Sequence, residues 1–250
     1  MNAMARPLHS AVLLLVVLAS CASEPERPPR SVFDVGGPLQ SERTAVPEGI
    51  NESFLKPDTD VDSFVARWEL ESREVYVARE DILRALGIEP GATVADVGAG
   101  TGLFASMLSE AVGPSGRVLA VDIAPNFVEH VRARAVAEGL HNVEARLSTE
   151  HSAELPEASV DVVLLCDVYH HFEYHEDMLR SIGAALRPGG RLVVIDFERI
   201  PGVTREWLLG HVRADKETVT SEITAAGFER VDEVHIAAFD ENYCVRFVRP

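Results

Sequence analysis

One glycine-rich loop, set between a short apolar run and a helical pattern, constrains this chain more than any other feature. Residues 94–102 read VADVGAGTG, with 93–97 suited to a buried strand and Leu103 opening a helix. Glycine lets the backbone turn at positive φ and lets a ligand approach with no Cβ in the way. Downstream, the same strand-to-helix unit repeats. Strands are predicted at 93–97, 117–122, 142–147, 160–166 and 191–197, with helices at 103–112, 126–138 and 173–186 between them. Such alternation builds an α/β, doubly wound, mostly parallel sheet with helices on both faces, joined by right-handed crossovers. Ligands then belong at the carboxyl ends of the strands.

The tail breaks the alternation. A helix at 216–226 leads into apolar runs at 228–237 and 242–248, joined at Asp240 and Glu241, which predict a hairpin closing the sheet. Ahead of the sheet, Phe64, Trp68, Val75, Ile82 and Leu86 recur at helical spacing and Gly87 supplies a C-cap, so a helix or helix pair precedes the first strand.

The loop also carries ligand information. A dinucleotide fingerprint places a third glycine where this chain has Leu103, and its strand ends in apolar residues, whereas here Asp96 stands near the strand end. A carboxylate there receives an ammonium group and repels a pyrophosphate, which favours an amino-acid-bearing nucleoside over a nicotinamide dinucleotide. The second strand ends in Asp122. From that position an acceptor-only carboxylate can bind both hydroxyls of a ribose. The alternative is a helix cap ahead of Pro125.

With these residues, the block 159–171 (SVDVVLLCDVYHH) and residues 186–190 (LRPGG) resemble the class I S-adenosylmethionine-dependent methyltransferases, in particular the small-molecule branch related to quinone and sterol methyltransferases. The resemblance runs from about Phe64 to the C-terminus. It implies a Rossmann-like sheet of seven strands with an antiparallel last strand, S-adenosylmethionine as cofactor, and a small-molecule methyl acceptor. By position it implies that Asp96, Gly98, Ala99 and Gly100 surround the methionine part of the cofactor and that Asp122, with Ile123 beside it, holds the ribose. Glu150 is the candidate beside the adenine, although the stretch LSTEH at 147–151 lacks the glycine that usually precedes that acid. Asp167, the last of the cofactor-side positions, and Tyr169 would line the side where the acceptor enters.

Methyl transfer from a sulfonium is an in-line displacement that depends chiefly on positioning. Where the acceptor must lose a proton, His170 and His171 are the candidate catalytic groups, because they follow the fourth strand and imidazole titrates near neutrality. Packing and helix capping are their ordinary alternatives. His171 and His175 stand at i and i+4, as a metal pair would, yet no third ligand accompanies them, so no metal is expected. Glu176 and Asp177 read as the acidic first turn of a helix. His211, within 207–213, lies on a lid or on an amphipathic connector. Cys21, Cys166 and Cys244 show no metal-type spacing. The implied topology separates the strands of Cys166 and Cys244, so no disulfide is expected between them.

Forty acidic against 23 basic residues give a net charge of −17, which repels phosphate backbones and argues against nucleic acid as substrate. Arg6, the apolar run 11–19, Ser20 and Cys21 follow the order of a secretory signal. That run is shorter than the roughly 20 apolar residues a spanning helix needs. Residues 18–21, LASC, resemble the bacterial lipobox, which implies a signal peptide over 1–20 and a lipidated Cys21. The proline-rich stretch 21–57 reads as a tether, leaving 58–250 as the methyltransferase-type domain. The expectation is a lipoprotein of the cell envelope or periplasm, held to a membrane only through Cys21. Export leaves the supply of S-adenosylmethionine unexplained, which keeps open a non-catalytic envelope lipoprotein that retains the fold and the pocket.

Overall fold

The computed structural model describes Met1, Phe33, residues 44–71 and residues 73–250. The apolar signal, Cys21 and the first part of the expected tether lie outside the described residues.

Helices α1 (Glu52–Leu55), α2 (Val61–Trp68), α3 (Glu74–Val77) and α4 (Arg79–Leu86) precede the sheet. Asp60 caps α2 by accepting the backbone N–H of Ser63, and Gly87, at φ +60°, ends α4 as expected. The segment 44–57 corrects the expected tether. Thr44, Ile50 and Asn51 are buried, and the backbone N–H of Thr44 donates to the Glu173 carbonyl at 2.6 Å. Pro47 and Gly49 give this stretch a linker's composition, but Val46, Ile50 and Phe54 anchor it, so the folded unit begins before residue 58.

Seven strands form one sheet: β1 (Thr93–Val97), β2 (Arg117–Asp122), β3 (Val143–Leu147), β4 (Val160–Cys166), β5 (Leu186–Phe197), β6 (Glu229–Glu233) and β7 (Asn242–Val248). Their order is β3-β2-β1-β4-β5-β7-β6. All paired neighbours are parallel except β7, which runs antiparallel to both β5 and β6. The fold is thus Rossmann-like and mostly parallel, as expected, and the β6–β7 hairpin places its second strand inside the sheet. The sequences explain that order. β7 (NYCVRFV) is buried over most of its length, whereas β6 (ERVDE) is charged and exposed, as suits an edge.

Helices α5 (Ala105–Val112), α6 (Pro125–Glu138), α7 (His175–Ala185), α8 (Glu206–His211) and α9 (Lys216–Ala225) complete the fold. Strand alternation divides the core in two. Val94, Val118, Val162 and Ile195 point toward Ile82 and Leu86 of α4 and Leu108 of α5. Their neighbours Ala95, Leu119, Val163 and Val194 point toward Leu179 and Ile182 of α7 and Ile223 of α9. This is the period-two pattern of a sheet covered on both faces.

Several boundaries move. The helix before β5 stops at Ala185 rather than 186, and the LRPGG segment joins β5 through a register shift between Val160 and Val162. Pro188, which cannot continue a helix, accounts for the early strand. β6 ends at Glu233, short of the expected 237. Cys166 and Cys244 both stand opposite Ile195, on strands either side of β5, and both are free thiols.

Candidate active site

β1 has β2 on one side and β4 on the other, so the chain leaves the two central strands in opposite directions and opens a crevice at their carboxyl ends. A cavity of about 320 Å³ lies there, within the size range of small-molecule sites. Its floor is the glycine loop. Gly98 sits at φ +81°, and a Cβ built on it would stand 2.3 Å from Cγ2 of Val168 in the turn after β4. Gly100 sits at φ +52° against the ring of Trp68, which would lie 3.0 Å from such a Cβ.

The loop is held by β2. The N–H groups of Gly98 and Ala99 both donate to the Val121 carbonyl, at 2.8 and 3.0 Å. Gly100 donates its N–H to Asp122 Oδ2 at 2.8 Å, and Ala124 donates to Oδ1 at 2.9 Å. Asp122 therefore organises two backbone segments, while its oxygens retain acceptor capacity toward the cleft, which Ile123 also lines. The two readings of Asp122, structural and ligand-facing, are compatible in one side chain.

Asp96 is 3% exposed and forms no salt bridge among the described residues. Burial, and then the nearby charge of Asp122, push its carboxyl up to about 7. Burial raises Asp122 as well, against the backbone N–H groups that favour its charged form. Glu150 lines the open rim on the β3 side, half-exposed, 3.4 Å from Nε2 of His151. His151 Nδ1 lies 2.7 Å from Oδ2 of Asp177, which is fully buried at the first turn of α7.

Asp167 lines the opposite rim. It adopts φ +51° and accepts from Arg73 Nη2 at 2.9 Å and from Asn242 Nδ2 at 2.7 Å, joining the α2–α3 connection to the start of β7. Burial and the Asp196 charge push its carboxyl up to about 6, against Arg73 and His170. Tyr169 does not line this cleft. Its ring is wholly buried behind the wall, its hydroxyl donates to Glu222 Oε2 at 2.8 Å, and Arg213 lies over its face. The 3-10 turn at Tyr169–His171 turns Tyr169 into the core and both His170 and His171 to the cleft, whereas alternation along a strand would put Tyr169 and His171 on one side.

The two candidate histidines face the cleft. His170 Nδ1 lies 2.7 Å from Asp196 Oδ1, and its backbone N–H donates to Oδ2 at 3.0 Å. Burial opposes the charged ring, but the charge and hydrogen bond of Asp196 outweigh it and hold His170 above the ordinary value. His171 Nδ1 lies 3.1 Å from Asn51 Oδ1; burial, then the charges of His170 and His211, hold it well below. His211, on α8, brings its ring centroid to 5.0 Å from His170 and 5.2 Å from His171. His175 turns away to Thr44 Oγ1, at 2.6 Å, and toward Glu222, so it forms no metal pair with His171.

Asp196, Asn51, Phe54, Trp68 and Arg73 join the site without having been anticipated. An acid at the end of the fifth strand, in VVIDF, was a readable sign for Asp196. Asn51 and Phe54 were hidden in a stretch with a linker's composition.

Residues 95–192 match a family described as a methyltransferase domain. The chain is 37% identical over 113 residues to an uncharacterized 37.1 kDa protein in a transposon of Streptomyces fradiae, covering 45% of this chain and 32% of that protein. It is 29% identical over 175 residues to the ubiquinone/menaquinone biosynthesis C-methyltransferase of Ectopseudomonas mendocina, covering 58% of this chain and 68% of the relative. The chain thus spans about a third of one relative's length and about two thirds of the other's. A SAM-dependent methyltransferase from Aquifex aeolicus superposes with a TM-score of 0.68 at 24% identity, covering 76% of this chain and 99% of that one, and shares the fold.

Proposed function

We propose that this chain, which carries a methyltransferase domain, binds S-adenosylmethionine in the Asp96 half of the cleft and transfers its methyl group to a small molecule in the histidine half. Asp96 is the observation that carries the reading: a buried carboxylate with no cationic partner among the described residues, beside two glycines that leave the floor free of Cβ atoms. An ammonium group is the partner this carboxylate lacks. When bound, the cofactor supplies an electrophilic methyl group on a sulfonium.

The chain's own residues do the positioning. Asp96 takes the amino group and Asp122 the ribose hydroxyls, and Glu150 stands at the rim where the adenine would lie. Phe54, Phe197 and Trp207 line the other half with the imidazoles of His170 and His171. Flat apolar faces next to hydrogen-bonding nitrogens suit a planar, hydroxylated acceptor. A relative named for ubiquinone and menaquinone biosynthesis supports the same class. The non-catalytic alternative has less support, because a pocket used only for binding has no need of an imidazole backed by Asp196.

Calorimetric titration with S-adenosylhomocysteine, followed by tritiated-methyl transfer to a panel of quinols and catechols, tests both halves. Micromolar binding and labelled product are expected. A folded chain that binds no S-adenosylhomocysteine overturns the cofactor assignment, and binding with no transfer to any planar hydroxylated compound overturns the acceptor class.

Export and lipid attachment at Cys21 form a separate part of the proposal, supported by the LASC sequence and the apolar run before it. Metabolic labelling with a palmitate analogue, lost in Cys21→Ser, is the expected result; equal labelling of both chains, or of neither, overturns it.

A further inference from the structure

We propose that His170, His171 and His211 form a three-imidazole site for a divalent transition metal of the zinc class, with an open coordination position facing the cleft. Each ring offers a nitrogen, and the three lie within 4.8 Å of one another. Zinc–nitrogen bonds of about 2.0–2.1 Å in a tetrahedron place ligand nitrogens about 3.4 Å apart. The contraction needed is on the scale of side-chain torsions, and His211, on the short helix α8, is less enclosed than His170 or His171.

Hydrogen bonding sets which nitrogen is available. Asn51 Nδ2 donates to the His171 carbonyl at 3.1 Å and to Glu173 Oε1 at 3.0 Å, which fixes the amide's orientation. Its Oδ1 can then only accept, so the His171 Nδ1 at 3.1 Å carries the proton and Nε2 carries the lone pair. In the neutral ring of His170, Nδ1 likewise donates to the Asp196 carboxylate and Nε2 is left as an acceptor, so metal binding there displaces any proton on Nε2. Two neighbouring imidazoles, with ring centroids 4.3 Å apart, thus each present a lone pair at the cleft. A cation between them satisfies both at once. An oxygen acceptor orienting the far nitrogen of each ring is the usual outer support of a metal-bound histidine, and here Asp196 and Asn51 provide it. Imidazole ligands suit zinc, iron, nickel or copper, whereas magnesium and calcium take oxygen.

The site is independent of cofactor binding, so the two readings fail separately. The full-length chain, stripped with a chelator, is titrated with Zn²⁺ by calorimetry and with Co²⁺ by visible absorption. One-to-one saturable binding with intense tetrahedral Co²⁺ bands is expected. His211→Ala should weaken Zn²⁺ by more than about a hundredfold and Asp196→Asn by about 10–100-fold, with the circular dichroism spectrum unchanged. His211 is partly exposed, so its variant keeps the test open should Asp196→Asn fail to fold. A folded chain that takes up no metal, or one whose Zn²⁺ affinity is the same in His211→Ala, overturns the proposal. Loss of S-adenosylhomocysteine binding with Zn²⁺ binding intact would count against the cofactor assignment alone.

Discussion

Gly100 donates its backbone N–H to Oδ2 of Asp122 at 2.8 Å, tying the loop after β1 to the end of β2. The other oxygen of the same carboxylate takes the N–H of Ala124. One side chain therefore shapes the floor of the cleft and presents acceptors to whatever lies in it.

Asp122→Ala should act twice. It leaves two buried N–H groups without their acceptor, costing about 1–3 kcal/mol, and it removes the proposed ribose contact, which should lower S-adenosylhomocysteine affinity by at least about tenfold. Denaturant unfolding and calorimetry read the two effects separately. Unchanged stability would show that the backbone groups find other acceptors.

Gly98→Ala places a methyl group 2.3 Å from Val168 Cγ2 at a φ of +81°. Overpacking of this kind costs about 1–3 kcal/mol, and the left-handed backbone adds to it. Val168→Ala in the same chain should recover the part of the steric cost that comes from the Cγ atoms, while its Cβ, 2.8 Å from the new methyl group, and the backbone strain remain. A double-mutant cycle isolates the coupling; strict additivity would mean the turn after β4 simply moves aside.

Tyr169→Phe should cost about 1 kcal/mol through the lost hydrogen bond to Glu222, with S-adenosylhomocysteine affinity and acceptor turnover unchanged. The pair of measurements separates a residue behind the wall from one that lines the cleft.

The parallel core, the glycine loop and Asp122 were legible because each follows from local chemistry: alternation of apolar runs, the need for positive φ, and an acid ending a strand. What escaped depended on contacts distant in sequence. Asn51 meets His171 across 120 residues, from a segment whose Pro47 and Gly49 disguised it as linker. Tyr169 and His170 are adjacent in the chain, yet the short 3-10 turn points one into the core and the other into the cleft. The placement of β7 between β5 and β6 was readable in hindsight, since a strand with that run of buried apolar residues is poorly suited to an edge.

Asp96 gives the last prediction, through pH. Its carboxyl moves from an ordinary 3.8 to about 7 in the folded chain, because burial and the charge of Asp122 disfavour ionisation. Between those values the native state holds a proton that the unfolded chain has released, so this group's contribution to stability falls as pH rises from about 4 to about 7. Asp96→Asn should therefore stabilise the unliganded chain above neutrality by on the order of 1 kcal/mol or more, with the difference vanishing toward pH 4. Ligand binding runs the other way. A ligand ammonium favours the ionised carboxylate, so S-adenosylhomocysteine should expel a proton when it binds at pH 6 and expel far less at pH 8, with affinity rising across that interval. Calorimetry in buffers of different ionisation enthalpy counts the protons directly. If none is released at pH 6, Asp96 is already ionised in the free chain or does not meet the ammonium. Stability curves of Asp96→Asn then separate those two explanations, because only the second leaves the variant more stable above neutrality.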